Sequence, residues 1–265
     1  MKKTVKILSL VLALVMVFAL CACGTANQEQ GQQDQQDQQQ EELPTLTMAT
    51  NATFPPYEYW ENEQIVGIDA EIAAAIAEKL GMQLVIEDME FGAIINAINS
   101  GKADIGMAGM TVTEDRLEEA SFTQSYATGI QSIIVTEDSA ITSVDDLYAD
   151  GADYQIGVQQ DTTGDIYATE DFGDDHVQRF NKGPDAVAAL ASGKIDCVII
   201  DDQPAQAYVA ANEGLKVLDT QYAVEDYAIC VAKDNTELLE KVDSALSELI
   251  ADGTVQGIID KYITE

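Results

Sequence analysis

Residues 104–116 read Asp-Ile-Gly-Met-Ala-Gly-Met-Thr-Val-Thr-Glu-Asp-Arg. Ile105 and Met107 begin a short apolar run. The run breaks at Ala108-Gly109-Met110-Thr111 and ends in Thr113-Glu114-Asp115-Arg116. Thr113 suits a helix N-cap, and Glu114 and Asp115 suit the first turn, where the helix dipole favours acids. The stretch therefore predicts a strand, a tight loop and a helix start. Gly109 permits close approach to the backbone, and the amides at such a turn can bind an anion. Arg116, one of only two arginines with Arg179, can add a bidentate clamp for a carboxylate. Alone, Arg116 reads more readily as a surface residue paired with Glu119 or another surface acid.

Just upstream stands Ser100-Gly-Lys-Ala-Asp104-Ile, and it recurs as Ser192-Gly-Lys-Ile-Asp196-Cys. Each copy ends a helix at Gly, crosses on Lys and Asp, and enters a buried strand. The first strand runs into Ala108–Thr113 and the second into Asp201–Pro204. Two such units imply two lobes, each offering a loop at the carboxyl end of a strand, where open α/β sheets bind ligands.

Outward from these units, strands and helices alternate, the pattern of an α/β fold with parallel pairing. Strands are expected at 46–49, 83–87, 155–158, 177–180, 195–200, 216–218 and 227–232. Helices are expected at 70–80, 91–100, 184–193, 203–213 and 238–251, with Pro184 at a first helical position. Residues 159–164 read as a loop. The loop Asn51–Trp60 packs Pro55, Pro56 and four aromatics together, so one or two rings can face a cleft.

The chain has 265 residues and a net charge of −34. Such acidity excludes nucleic acid and anionic membrane surfaces as partners, which need basic patches. Lys2, Lys3 and Lys6 precede an apolar run, Ile7–Leu20, and then Leu20-Cys21-Ala22-Cys23. Residues 1–23 thus read as a signal peptide. Residues 24–44, rich in Gln, Glu and Asp, read as a disordered tether. Cys197 and Cys230 sit in apolar runs and read as buried thiols. With a single histidine, His176, no zinc site is expected, and no other cofactor is implied.

Taken in order, Asn51–Tyr57, Val66–Asp69, Phe91, Asp104–Arg116, Phe122–Tyr126, Gln159–Gly164 and Asp196–Pro204 resemble the family 3 extracellular solute-binding proteins. These are the polar amino-acid receptors of ABC importers. The resemblance covers about residues 45–264. It implies a two-lobed periplasmic-binding-protein-like fold (type II), with mixed sheets flanked by helices and joined by two crossover strands. Lobe 1 would be 45–127 plus 226–265, and lobe 2 would be 128–225. Cys23 occupies the lipidated position of a lipobox, so the expectation is a monomer, lipid-anchored outside the cell membrane and working with permease subunits.

The resemblance also implies roles. Arg116, the backbone of Gly109 and the Thr111 hydroxyl would hold the ligand carboxylate, with Thr163 adding a donor from lobe 2. Asp201 would hold the ammonium. Phe54 and Phe91 would sandwich the side chain, and Asn51 would read its far end. Gln159 reads as a strand-end residue. Asp161 stands where many relatives carry a small residue, either pointing to solvent or admitting a cationic side chain. A neutral Asn51 leans the cargo towards a neutral polar amino acid over a basic one, with acidic ligands last. The rivals are a prephenate-type dehydratase on the same fold, which no catalytic constellation here supports, and a sensor input module.

Overall fold

The computed structural model describes residues 43–264. The signal peptide, Cys23 and nearly all of the tether lie outside the described residues. The sequence alternation resolves into twelve strands and eight α-helices among the described residues. The first half contains β1 (Thr45–Thr50), β2 (Thr53–Phe54), β3 (Glu58–Glu61), β4 (Gln64–Val66), α1 (Ile68–Lys79), β5 (Gln83–Asp88), α2 (Ile94–Asn99), β6 (Ile105–Gly106), α3 (Glu114–Glu119) and β7 (Ala120–Thr136). The second half contains β8 (Ile156–Gln159), α4 (Thr163–Phe172), β9 (Val177–Phe180), α5 (Gly183–Ala191), β10 (Cys197–Asp201), α6 (Asp202–Ala211), β11 (Leu215–Val217), β12 (Ala223–Ala232), α7 (Thr236–Ala251) and α8 (Thr254–Tyr262).

The main sheet runs β5-β1-β6-β12-β7-β10-β8-β9, with β11 beside β7, and β2-β3-β4 form a separate small sheet. β1 pairs in parallel with β5 and β6, and β8 with β9 and β10. Antiparallel β7 and β12 lie between these two parallel groups. These are the two crossover strands. Tyr126, Tyr227, Ile229 and Val231 pack with Leu46, Met48, Ile72 and Leu246. Further along β7, Ile133 and Val135 pack instead with Ile156, Val158 and Ile199. One strand pair thus serves two cores and makes two lobes.

Several elements differ from the sequence reading: β2 and most of β3 fall within the stretch read as a loop, and β4 and α8 are not expected. Residues 163–172 form α4, where no helix is expected; the segment carries Asp165, Glu170 and Asp171 among few apolar residues, so its periodicity is weak. β7 runs for seventeen residues, all of them outside the expected strands. Its polar residues, such as Gln124, Ser125 and Gln131, hide a strand that changes surroundings midway. Phe91 begins a 3-10 turn that leads into α2 rather than a single helix.

Candidate functional site

The cleft lies where the loops at the strand ends of both lobes meet. It brings together all eight residues singled out in the sequence: Asn51, Phe54, Phe91, Gly109, Thr111, Arg116, Thr163 and Asp201. Glu58, Gln131, Gln159 and Tyr227 line it as well.

On the lobe 1 side, the Thr113 hydroxyl accepts from the Arg116 amide at 3.2 Å and caps α3, as its position predicts. The cap sets Arg116 on the first turn, pointing back into the cleft. Its guanidinium donates to the carbonyls of Thr111 at 2.9 Å and Asp161 at 3.0 Å, and lies 5.0 Å from the Phe91 ring centroid. Arg116 is buried, and burial pulls its pKa below the ordinary arginine value. Among the described residues no carboxylate comes within 4.0 Å of it. The other arginine behaves oppositely: Arg179 pairs with Asp165 at 2.9 Å and Asp174 at 2.7 Å at the surface. A buried guanidinium held only by carbonyls and a ring lacks a counter-charge, and desolvated charge is costly without one.

On the lobe 2 side, Asp201 ends β10 and caps α6, accepting from the Gln203 amide at 3.1 Å. It also accepts from the Ile130 amide at 3.0 Å and the Tyr227 hydroxyl at 2.5 Å. Tyr227 reaches Asp201 across Gly129, where a Cβ would collide with the tyrosine ring and its oxygen. Burial pushes Asp201 up to about 7 despite these bonds. Thr163 and Gly164 open α4, whose first amides and dipole favour an anion.

The donors expected from lobe 1 are differently disposed. The Gly109 amide donates to Asp69 at 2.9 Å, so its carbonyl is what remains for a ligand, and a carbonyl accepts. Gly109 has φ +52, and a Cβ there would stand 2.9 Å from the Phe54 ring. The Thr111 hydroxyl donates to Glu225 at 3.1 Å, so it too accepts rather than donates. Both groups therefore suit an ammonium better than the carboxylate that sequence reasoning gave them. Asp69 also accepts from the Tyr126 hydroxyl, and burial pushes it up to about 6. Glu58 beside it is pushed well above the carboxylate range by burial first and then by the charge of Asp69.

Asn51 donates to the Met89 carbonyl at 2.7 Å and accepts from Thr53 and Gln159, each at 3.0 Å. The Gln159 bond crosses between the lobes, so this residue is a cleft residue and more than a strand end. Asp161 has φ +65 and an exposed carboxylate; its backbone carbonyl, not its side chain, meets Arg116. Gln131 had a sequence signal, a lone amide inside the apolar run Ile130–Val135. Glu225 had none in so acidic a chain. Among the described residues no group of acids, cysteines and His176 gathers as a metal site.

Two lobes joined by two crossover strands, with a buried guanidinium and a buried carboxyl lining one cleft between them, are the architecture of a solute-binding receptor. The profile of the bacterial extracellular solute-binding proteins, family 3, matches residues 46–265, and the chain belongs to that family. It is 33% identical over 264 residues to the arginine-binding extracellular protein ArtP of Bacillus subtilis (strain 168), covering 98% of each chain. An ancestral arginine-binding protein bound to glutamine superposes with a TM-score of 0.78 at 37% identity, over 83% of this chain and 98% of that one. The substrate-binding protein AbpA of Streptococcus pneumoniae, from an amino acid ABC transporter and bound to L-arginine, gives 0.75 at 30% identity, over 82% and 94%.

Proposed function

We propose that this chain is the substrate-binding receptor of an ABC importer and that its cargo is a basic L-amino acid of the arginine type. The observation that carries the reading is Arg116, a buried guanidinium with no carboxylate partner among the described residues, facing the buried acid Asp201. A zwitterion supplies the carboxylate that one needs and the ammonium that the other needs. Closure of the lobes is then the ligand's differential binding to the closed form.

The side chain decides between cargoes. Beyond Arg116 the cleft lining holds no cation, whereas Glu58 lines it with an oxygen, Oε2, that has no hydrogen-bond partner among the described residues. An incoming guanidinium satisfies that oxygen. This moves the preference from the neutral polar cargo read from Asn51 to a basic one, in keeping with the relatives' names. Phe54 and Phe91 flank the side chain, Asn51 and Gln159 stand at its end, and Thr163 adds a donor to the carboxylate.

Calorimetry with L-arginine, L-glutamine and L-glutamate tests the reading. Arginine is expected to bind at least about tenfold tighter than glutamine, a difference of about 1.4 kcal/mol, with no product formed. Glutamine binding as tightly as arginine overturns the basic cargo; turnover of a prephenate-like acid overturns the receptor. The lobes divide at 127/128, midway along β7, and at 225/226, near the start of β12. Cys23 carries a lipid anchor, so Cys23→Ser is expected to release the protein from the membrane fraction with binding intact.

A further inference from the structure

Behind the cleft lining lies a buried acid that the proposed clamp does not use. Glu225 is 5% exposed, on β12. Gln131 pairs with Asp201 across β7 and β10, while Ala223 and Glu225 pair with Gln131 and Gly129 across β12 and β7. Side chains two residues apart on a strand share a face, so Asp201, Gln131 and Glu225 lie on one face across three strands, with Glu225 one pair further along.

Glu225 Oε2 accepts two hydrogen bonds, from the Thr111 hydroxyl at 3.1 Å and from Gln131 Nε2 at 3.0 Å. Both donors line the cleft. A hydroxyl and an amide each donate or accept as circumstances dictate, but an ionised carboxylate only accepts. Thr111 spends its one proton on Glu225 and is left with lone pairs. Gln131 must turn its nitrogen towards Glu225, so its oxygen is the end that faces away. That oxygen is buried and has no hydrogen-bond partner among the described residues, and the same holds for Glu225 Oε1. Tyr167 stands beside Glu225, and burial and then the charge of Glu225 push its phenol up to about 12.

We infer that Glu225 is a positioning residue for the ligand's head group: by taking protons from Thr111 and Gln131 it fixes both as acceptors, so that this wall receives a primary ammonium. The Gly109 carbonyl and Asp201 extend the same wall. Three of the lone pairs on Asp201 are already engaged, and an ammonium has three protons to place, so Asp201 alone does not satisfy it. Arg116 donates to the Thr111 carbonyl, so the carboxylate anchor and the acceptor wall meet at one residue. That spacing suits two groups borne on a single carbon.

The inference rests on the receptor reading, and the test separates the two. Calorimetry on the purified chain compares L-arginine with 5-guanidinopentanoate, which lacks only the α-amino group, the latter by displacement at millimolar concentration. In Glu225→Gln the amide can donate, Thr111 and Gln131 regain their ambivalence, and the preference for L-arginine is expected to shrink by at least about tenfold. A second variant, Thr111→Val, removes one acceptor and is expected to shrink the same preference by a smaller factor; it decides alone if Glu225→Gln does not fold. A preference unchanged in the folded variants, or both ligands weakened equally as a purely structural role requires, overturns the inference. If the wild-type chain binds neither L-arginine nor L-glutamine, the receptor reading fails and this inference falls with it.

Discussion

The two copies of Ser-Gly-Lys-x-Asp are near-identical devices with opposite products. In each, the serine hydroxyl donates back one turn, Ser100 to Ala97 and Ser192 to Ala189. In each, the glycine turns at positive φ, +71 at Gly101 and +70 at Gly193. In each, the aspartate clasps the amide of a neighbouring strand, Asp104 on Thr47 at 2.7 Å and Asp196 on Gln155 at 2.8 Å. Beyond the clasp they diverge. β6 lasts two residues and gives way to the irregular Gly109 loop, which brings Arg116 back to the cleft on α3. β10 lasts five residues and ends directly on Asp201, the cap of α6. One device delivers a cation and the other an anion. Burial disfavours the charged form of both Arg116 and Asp201, a cost that an opposite charge at each wall would offset. A zwitterion carries both of those opposite charges.

The comparison breaks most sharply at the charges. Removing one partner of a buried charge pair costs roughly 2–5 kcal/mol, so Arg116→Ala is expected to weaken amino-acid binding by at least about thirtyfold. Asp201→Ala is expected to cost less, though still about tenfold, because other acceptors share its wall. Titration calorimetry of both variants checks this, and near-native affinity in Arg116→Ala would remove the carboxylate anchor.

The acid wall should also show itself in stability. Asp201 and Asp69 sit at about 7 and about 6, above the ordinary carboxylate near 4 of an unfolded chain. The fold therefore favours their protonated forms. That contribution is complete below about pH 4 and is lost as pH rises through 6 to 7, at about 1.4 kcal/mol for each tenfold difference in proton affinity between the folded and unfolded chain. Glu225, Glu58, Tyr57 and Tyr227 around Asp201 add no cation that would oppose the loss, and Arg116 across the cleft is not among the groups that shift it. Exposed acids with lowered pKa, such as Asp146 and Asp252, act below that window. The melting temperature without added amino acid is expected to fall between pH 5 and pH 8, and saturating arginine should flatten the fall by keeping Asp201 ionised. A melting temperature that rises over that range contradicts the burial argument.

The smallest effects sharpen the likeness. Asp104→Asn and Asp196→Asn each weaken one charge-assisted bond to a strand amide, and each should destabilise the fold by on the order of 1 kcal/mol. Denaturant midpoints for the pair are expected to agree; a large inequality would mean that the clasps are alike in sequence only.

The sequence by itself determined the alternation of strands and helices, the doubled unit and hence two lobes, because hydrophobic period, glycine stops and helix caps are local properties. It also located the cap at Thr113 and, through the motifs that resemble the family 3 solute-binding proteins, the eight cleft residues. Tertiary structure alone decided how those residues are spent. Gly109 and Thr111 looked like donors until Asp69 and Glu225, 40 and 114 positions away, took their protons. Glu225 was invisible among 47 acids, since nothing local distinguishes a buried carboxylate from a solvated one. α4 and β7 were hidden because polar residues that face a cleft break the periodicity a solvated surface would preserve. Whether a group donates, accepts or ionises depends on neighbours brought in from the distant chain and on the water they displace, and no local pattern carries that information.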